Sequence, residues 1–414
     1  MLEKMRNAWR IPELRKKILY TLGMLLVYRL LCVIPVPGIN VAEVSRAIEK
    51  YSILDFMNMM TGGSFQNMSI MAMGITPYIN ASIILQLLTV AIPALEKLSK
   101  EGPEGRKKIS EYTRYLTVGL AFLQAIGLTF AMRVNSYGGI WYLVIGVSMA
   151  AGTSLAMWIG ERITENGLGN GISLLIMAGI VSNMFNWATT AVAGTIAGTV
   201  SIISVLVVLI AMIVMIVAIT FVDMGERRIP VQYAKRVVGR KMYGGQSTHI
   251  PMKLNSTGVL PLIFGYAILQ FPATIFAFFP ASGVNVWWQG FQASPWYQVV
   301  LAVLIIAFTY FYTSITFNPV EISKNMQQNG GIIPGVRQGR ATSDFLARVS
   351  SRLTLFSALF LAVLATIPTI LTRLMGISTP FAASSVLIAV SVGIETIRQI
   401  EAQMVMRHHK GFLG

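Results

Sequence analysis

Few residues of this chain are placed to make or break a bond. The only cysteine, Cys32, has no partner for an intrachain disulfide, and the three histidines, His249, His408 and His409, lack metal-ligand spacing. There is no HExxH helix, Walker A loop or GxSxG elbow. "GLGNG" at 167–171 has the glycines of a phosphate loop, but no strand precedes it, so the pattern predicts a turn that opens a helix. Without a nucleophile, base or metal set, enzymatic chemistry has no residues, and no cofactor is expected. A proton-coupled pump lacks its relay as well. An ionisable group at the centre of a membrane helix costs at least ~2.5 to 3.5 kcal/mol and marks an ion or proton pathway. Here Glu161, Asp223 and Glu395 sit at the ends of apolar runs, and Arg29 is the one clear interior charge.

What remains is the chemistry of a passage. In "GITPYINASIILQ", residues 74–86, Ile75 and Ile79 share a helix face, and Ser82 and Gln86 continue roughly along it, so one stripe begins apolar and becomes polar. Gly74, Asn80 and Ser82 equally suit close helix packing and interhelical hydrogen bonds. "GNGISLLIMAG" repeats the spacing, with Ile172 and Ile176 after Gly171. β-Branched isoleucines are stiff at χ1, and two facing pairs would make an apolar collar of fixed bore that impedes ions by dewetting. Isoleucine pairs at this spacing also occur in any membrane core.

The elements that must hold these residues are membrane helices. The chain is 54% hydrophobic and 12% charged, where soluble domains carry about a quarter charged residues. Its apolar runs reach the ~20 residues that a spanning helix needs, without the alternation of barrel strands. Ten spans are expected near 18–34, 71–92, 115–132, 141–160, 172–193, 199–222, 257–279, 298–317, 353–371 and 381–397. The first follows a basic leader but contains Arg29 and no small-residue cleavage site, so it reads as a retained span, not a signal peptide.

Charge supports ten. With a cytoplasmic N-terminus, 28 of the 33 lysines and arginines fall on inside segments. Four lie outside (Arg46, Lys50, Arg133 and Arg373), and Arg29 lies within a span. That is the positive-inside asymmetry, with both ends cytoplasmic. Five spans precede the uncharged connection near 190–198 and five follow it. Because five is odd, a second half built like the first would enter the membrane from the opposite side, which permits an inverted repeat. The expected division is a cytoplasmic segment 1–17, a first half 18–193, a second half 199–397 with cytoplasmic loops 223–256 and 318–352, and a tail 398–414.

Three connections stand out. "ILDFMNMMTGGSFQNM", residues 53–68, is too short and polar to cross, and suits either a short external helix or a re-entrant segment received by protein or water. In 223–256, "RRIPVQYAKRVV", a Gly-rich turn at 244–245 and "THIPMKL" predict a basic hairpin. "IIPGVRQGR" presents Arg337 on a Pro/Gly-shaped turn. Cations on these loops fit insertion topology and anionic lipid, and they fit a docking partner, including nucleic-acid phosphates, equally well.

"MAMGITPYINASIILQLLTV", "EGPEGRKKISEYTRYLT", "GLGNGISLLIMAGI", "RRIPVQYAKR" followed by "QSTHIPMKLN", and "IIPGVRQGRAT" with "SRLTL" together resemble the SecY family, the channel subunits of the bacterial protein translocase. The resemblance runs from the basic N-terminus to the tail. It implies an all-α membrane protein with ten transmembrane helices in two inverted five-helix halves, arranged like a clamshell. It further implies a non-enzymatic channel in the bacterial plasma membrane that passes secretory polypeptides and releases signal and transmembrane helices sideways. SecA or the ribosome would drive it, with SecE and SecG as companion subunits.

Carried onto this chain, the family's pore ring is Ile75, Ile79, Ile172, Ile176, Ile263 and Ile388. Its plug is Leu54, Asp55, Phe56, Met57, Asn58, Met59, Met60, Thr61, Gly62, Gly63, Ser64, Phe65, Gln66 and Asn67. Its lateral gate lies between the second and third spans and the seventh and eighth, lined by Ser82, Gln86, Ile268 and Phe271. Docking falls to Arg227, Arg228, Arg236, Arg240 and Arg337. A secondary transporter is the rival that topology allows. The absence of ionisable pathway residues and the long basic loops favour the channel.

Overall fold

The computed structural model describes residues 9, 11–39, 61–132, 139–198, 201–233, 236–238, 241–243, 247–277, 282–375 and 383–410. In chain order these form α1 (Pro12–Leu31), α2 (Thr76–Ala91), α3 (Pro93–Lys100), α4 (Pro103–Met132), α5 (Gly139–Asn166), α6 (Gly171–Ile196) and α7 (Ile202–Met224). Strands β1 (Glu226–Tyr233), β2 (Arg236–Val238), β3 (Lys241–Tyr243) and β4 (Ser247–Lys253) follow. Then come α8 (Leu260–Ala277), α9 (Gly283–Ala293), α10 (Pro295–Thr316), α11 (Pro319–Gln328), β5 (Gly331–Ile332), α12 (Arg340–Met375) and α13 (Ala383–Lys410).

Among the described residues, five helical stretches are long and apolar enough to cross a membrane: α5, α6, α7, Pro295–Gln328 and Arg340–Pro368. A sixth is present if α2 and α3, bent by 101° at their junction, form one span. Pro93 explains the break, because proline disfavours helical backbone at the residue before it, and Ile92 is extended at φ −107°, ψ 114°. α2 starts at Thr76, five residues later than the apolar run. Residues 61–75 run as turns, and Gly62, Gly63 and Gly74 take positive φ there.

By contacts the chain divides into two compact units. The first comprises Met1–Val208, Ala267–Ala293 and Ile377–Gly414. In it α4 packs along α5 and α2, α5 along α6, and α6 along α13, with α1 against α5. Its core joins Phe65, Met68, Ala72 and Met73 of the turn segment to Ala125 of α4 and to Ile145 and Met149 of α5. Hydroxyls inside the helices satisfy themselves: Thr117 donates to the Thr113 carbonyl and Thr129 to the Ala125 carbonyl, both at 2.6 Å. Such back-bonding lets a polar side chain sit in an apolar span without a partner helix.

The second unit comprises Leu209–Tyr266 and Ser294–Gly376. α10 packs along α12, and α11 against α12 and β5. β1 pairs antiparallel with β4, from Glu226 opposite Lys253 to Gln232 opposite Ser247. The expected hairpin is therefore present as β1 and β4, with the short β2–β3 ribbon between them in the sequence. β5 adds an edge the sequence did not announce, giving the order β4-β1-β5. Ile229 and Val231 point inward from β1 onto Met252, Met326, Ile333 and Leu346. Along α7, Ile203, Ile210, Val214, Val217 and Phe221 are all exposed. A helix apolar all round that still shows its side chains outward suits a lipid solvent.

Candidate functional site

The apolar-collar residues sit at helix starts. Ile75 caps α2, and its carbonyl accepts the Ile79 amide at 3.0 Å. Pro77 occupies the first turn, where its missing amide hydrogen is no loss. Ile75 is buried and Ile79 half-buried. On α6, Asn170 is the cap: its Oδ1 accepts the amides of Ile172 (3.1 Å) and Ser173 (3.3 Å). "GLGNG" is therefore the turn that opens a helix. Ile172 and Ile176 are half-buried, and Ile172 lies close to Gly160 of α5, where a Cβ would meet its Cγ1 at 2.9 Å.

α13 packs on α6 and carries Ile388, which is buried. Near the start of α6, a Cβ at Gly169 would meet Thr396 Oγ1 of α13 at 3.4 Å. Ile263, in the second unit, is half-buried on α8. Of the gate residues, Ser82 and Gln86 are half-buried on α2, and Ile268 is exposed on α8. Phe271 belongs to α8, with its side chain outside the described residues.

Leu54, Asp55, Phe56, Met57, Asn58, Met59 and Met60 lie outside the described residues. The remainder of that segment folds inward as turns. Thr61, Ser64 and Phe65 are buried, whereas Gln66 and Asn67 are exposed. Val36 donates its amide to the Met68 carbonyl and Ile70 to the Ile34 carbonyl, both at 2.9 Å, tying the segment to the chain after α1. Gly152 lets α5 approach so closely that a Cβ there would stand 1.9 Å from the Ile70 carbonyl oxygen. Ser69 Oγ and Thr153 Oγ1 are buried with no hydrogen-bond partner among the described residues.

Arg29 is the neighbour that sequence reasoning marked as an interior charge without giving it a role. Its Nη2 donates to the Ala178 carbonyl of α6 at 2.7 Å and to that of Gly179 at 3.4 Å, and Nη1 donates to the Gly62 carbonyl at 3.3 Å. Backbone carbonyls, all neutral, thus receive a charge that hydrocarbon would reject. Gly62 must be glycine twice over. Its φ is +69°, and a Cβ would stand 2.6 Å from Nη2, 2.7 Å from Nη1 and 2.8 Å from the Gly179 Cα.

The basic surface belongs to the second unit. Arg227 and Arg228 are exposed on β1, and Arg228 Nε donates to Glu226 Oε1 at 2.7 Å. Arg236 lies in β2, with its side chain outside the described residues, and Arg240 lies outside them altogether. Arg337 is exposed on a turn held from several sides. Ser323 Oγ donates to the Gly339 carbonyl (2.7 Å), Thr342 Oγ1 to the Arg337 carbonyl (2.8 Å) and Gln338 Nε2 to the Gly331 carbonyl (3.3 Å). Ile333 anchors the turn in the core below. Sequence reasoning also missed Asn255. Its Nδ2 donates to Asp223 Oδ1 at 3.0 Å and its Oδ1 accepts Ser357 Oγ at 3.0 Å, stapling the end of the sheet to α7 and α12. A lone asparagine shortly after a strand carries no periodic signal.

A SecY family model matches residues 69–397. Among curated relatives, the protein translocase subunit SecY of Streptomyces galbus is 42% identical over 442 residues, covering 100% of both chains. A solved protein conducting channel superposes with a TM-score of 0.69 at 19% identity, covering 94% of this chain and 93% of that one. Sec61 in a canine ribosome-channel complex from the endoplasmic reticulum gives 0.66 at 18% identity, covering 94% and 93%. At such identity the two structures speak for the fold alone. The family model and the end-to-end relative speak for more: this multi-pass membrane protein belongs to the SecY family.

Proposed function

We propose that the chain is the protein-conducting channel of a bacterial plasma-membrane translocase, passing secretory polypeptides across and releasing signal and transmembrane helices sideways into lipid. The observation that carries this reading is the match, over its whole length, to a protein translocase subunit. Physical chemistry supports it. A polypeptide's backbone groups find no partners in hydrocarbon, so it crosses through a wet passage. An apolar signal helix instead gains ~0.3 to 0.6 kcal/mol for each Leu, Ile, Phe or Val that enters lipid. A seam open to both media therefore reads hydrophobicity.

In this reading ten helices span the membrane in two inverted halves, with both termini cytoplasmic. Ile75, Ile79, Ile172, Ile176, Ile263 and Ile388 form the waist, which offers a sliding chain no strong hydrogen bond. Residues 54–67 plug it, and Ser82, Gln86, Ile268 and Phe271 line the seam. The exposed Arg227, Arg228 and Arg337 receive SecA or the ribosome, together with Arg236 and Arg240, and SecE and SecG complete the complex. The chain itself catalyses no reaction: nucleotide is hydrolysed by its partners. The test is site-specific crosslinking of a stalled secretory chain. Photoreactive side chains at positions 79 and 176 should capture the stalled polypeptide, and one at the exposed Val217 of α7 should not. Capture at 217 alone would end the reading.

A further inference from the structure

The region around Arg29 carries an inference that rests on the channel reading and deepens it. Arg29 is half-buried on α1, inside the first unit, and faces carbonyls from two directions. Two belong to α6, the helix that bears Ile172 and Ile176, and one belongs to Gly62, at the start of the described part of the plug segment. We propose that Arg29 is a positioning residue, a clasp that holds the 61–68 segment against α6 in the closed channel and must let go of Gly62 for that segment to leave.

Three observations favour a clasp over a static strut. Among the described residues the acceptors of this charged donor are neutral carbonyls, and water entering an opening passage can replace them without separating an ion pair there. Gly62 and Gly63, at φ +69° and +83°, put two residues of wide backbone latitude at the clasped point. Farther along the segment, the buried hydroxyl of Ser69, like that of Thr153 on α5, has no hydrogen-bond partner among the described residues. Those hydroxyls add nothing to the backbone hydrogen bonds at Met68 and Ile70, and Arg29 is the side chain that supplies a charge-assisted one at Gly62.

The test uses the full-length chain in native membranes, with Cys32→Ser removing its only thiol. Thr61→Cys and Thr153→Cys are introduced one at a time, since both positions are buried. In an otherwise unchanged protein both thiols should resist a membrane-impermeant maleimide. Arg29→Met removes a charge from a span, so insertion is not put at risk. It should raise labelling at position 61 about tenfold, the scale of a lost charge-assisted hydrogen bond, and leave position 153 shielded. Arg29→Lys, which keeps the charge with a shorter reach, should restore most of the protection. Equal shielding of position 61 in Arg29→Met would overturn the clasp. So would labelling that rises at 61 and 153 together, because that would mean general loosening. Bilayer conductance recorded on the same variants separates the two readings. Labelling that rises at 61 with conductance unchanged upholds the clasp and counts against the segment as a plug.

Discussion

An isoleucine is an inert side chain, and at positions 79 and 176 that inertness is what the proposed waist requires. Both are half-buried near the first turns of their helices, where neighbours fix the backbone and χ1 has little freedom. Ile79→Gly combined with Ile176→Gly should raise the resting ion conductance of reconstituted bilayers, because dewetting depends on apolar side chains narrowing the bore. Each glycine also costs a helix about 1 kcal/mol against alanine, so Ile→Ala at both sites should shift conductance in the same direction. Unchanged current in both pairs would remove these residues from the waist. At this scale the isoleucine spacing and the helix-opening turn at 167–171 were legible, because both are local. Arg29 was legible as an anomaly only, since its acceptors at Gly62, Ala178 and Gly179 are backbone groups, which no side-chain pattern reports.

Elements turn single cations into a surface. Arg337 is exposed, but its loop is rigid because Ile333 sinks into the core of the second unit and Ser323 and Thr342 hold the backbone on either side. Arg337→Glu reverses a charge on an intact platform, so it should slow motor-driven export of a secretory precursor several-fold while membrane levels of the protein stay normal. Normal export would take Arg337 out of the docking surface. Ser323→Ala strikes the platform instead. It removes one of the two hydrogen bonds that the half-buried Gly339 carbonyl accepts, the other coming from the Ser343 amide at 3.1 Å, a loss of about 0.5 to 1.5 kcal/mol, and should weaken export less than the charge reversal. The β1–β4 pairing was readable from alternation and the intervening glycines. β5 was not, because two residues, Gly331 and Ile332, are too few to show a period. They join the sheet through tertiary contact.

For the whole molecule the governing quantity is where charge sits relative to the apolar runs. The number of runs came from hydropathy and the sidedness from cations, two signals that together gave the expectation of ten crossings, of which five, or six with the bent pair, are long apolar helices among the described residues. A second half related to the first by inversion is harder to read. The two halves would share a packing plan without sharing residues, and packing plans leave little trace in side-chain identity. Sidedness yields a direct experiment. Ala197, after α6, ends the uncharged connection expected outside, and Lys253, at the end of β4, sits on the basic loop expected inside; both are exposed. In a Cys32→Ser background, Ala197→Cys should react with an impermeant maleimide in intact cells, and Lys253→Cys only after permeabilisation. Moving one positive charge to the far side works against an anionic inner leaflet, at about 1 kcal/mol per cation near its surface. The seven cations of the 223–256 loop make the reverse orientation untenable if the rule governs this chain. Labelling of position 253 in intact cells would place the sheet outside, invert every connection at once, and leave the exposed arginines no cytoplasmic partner to meet.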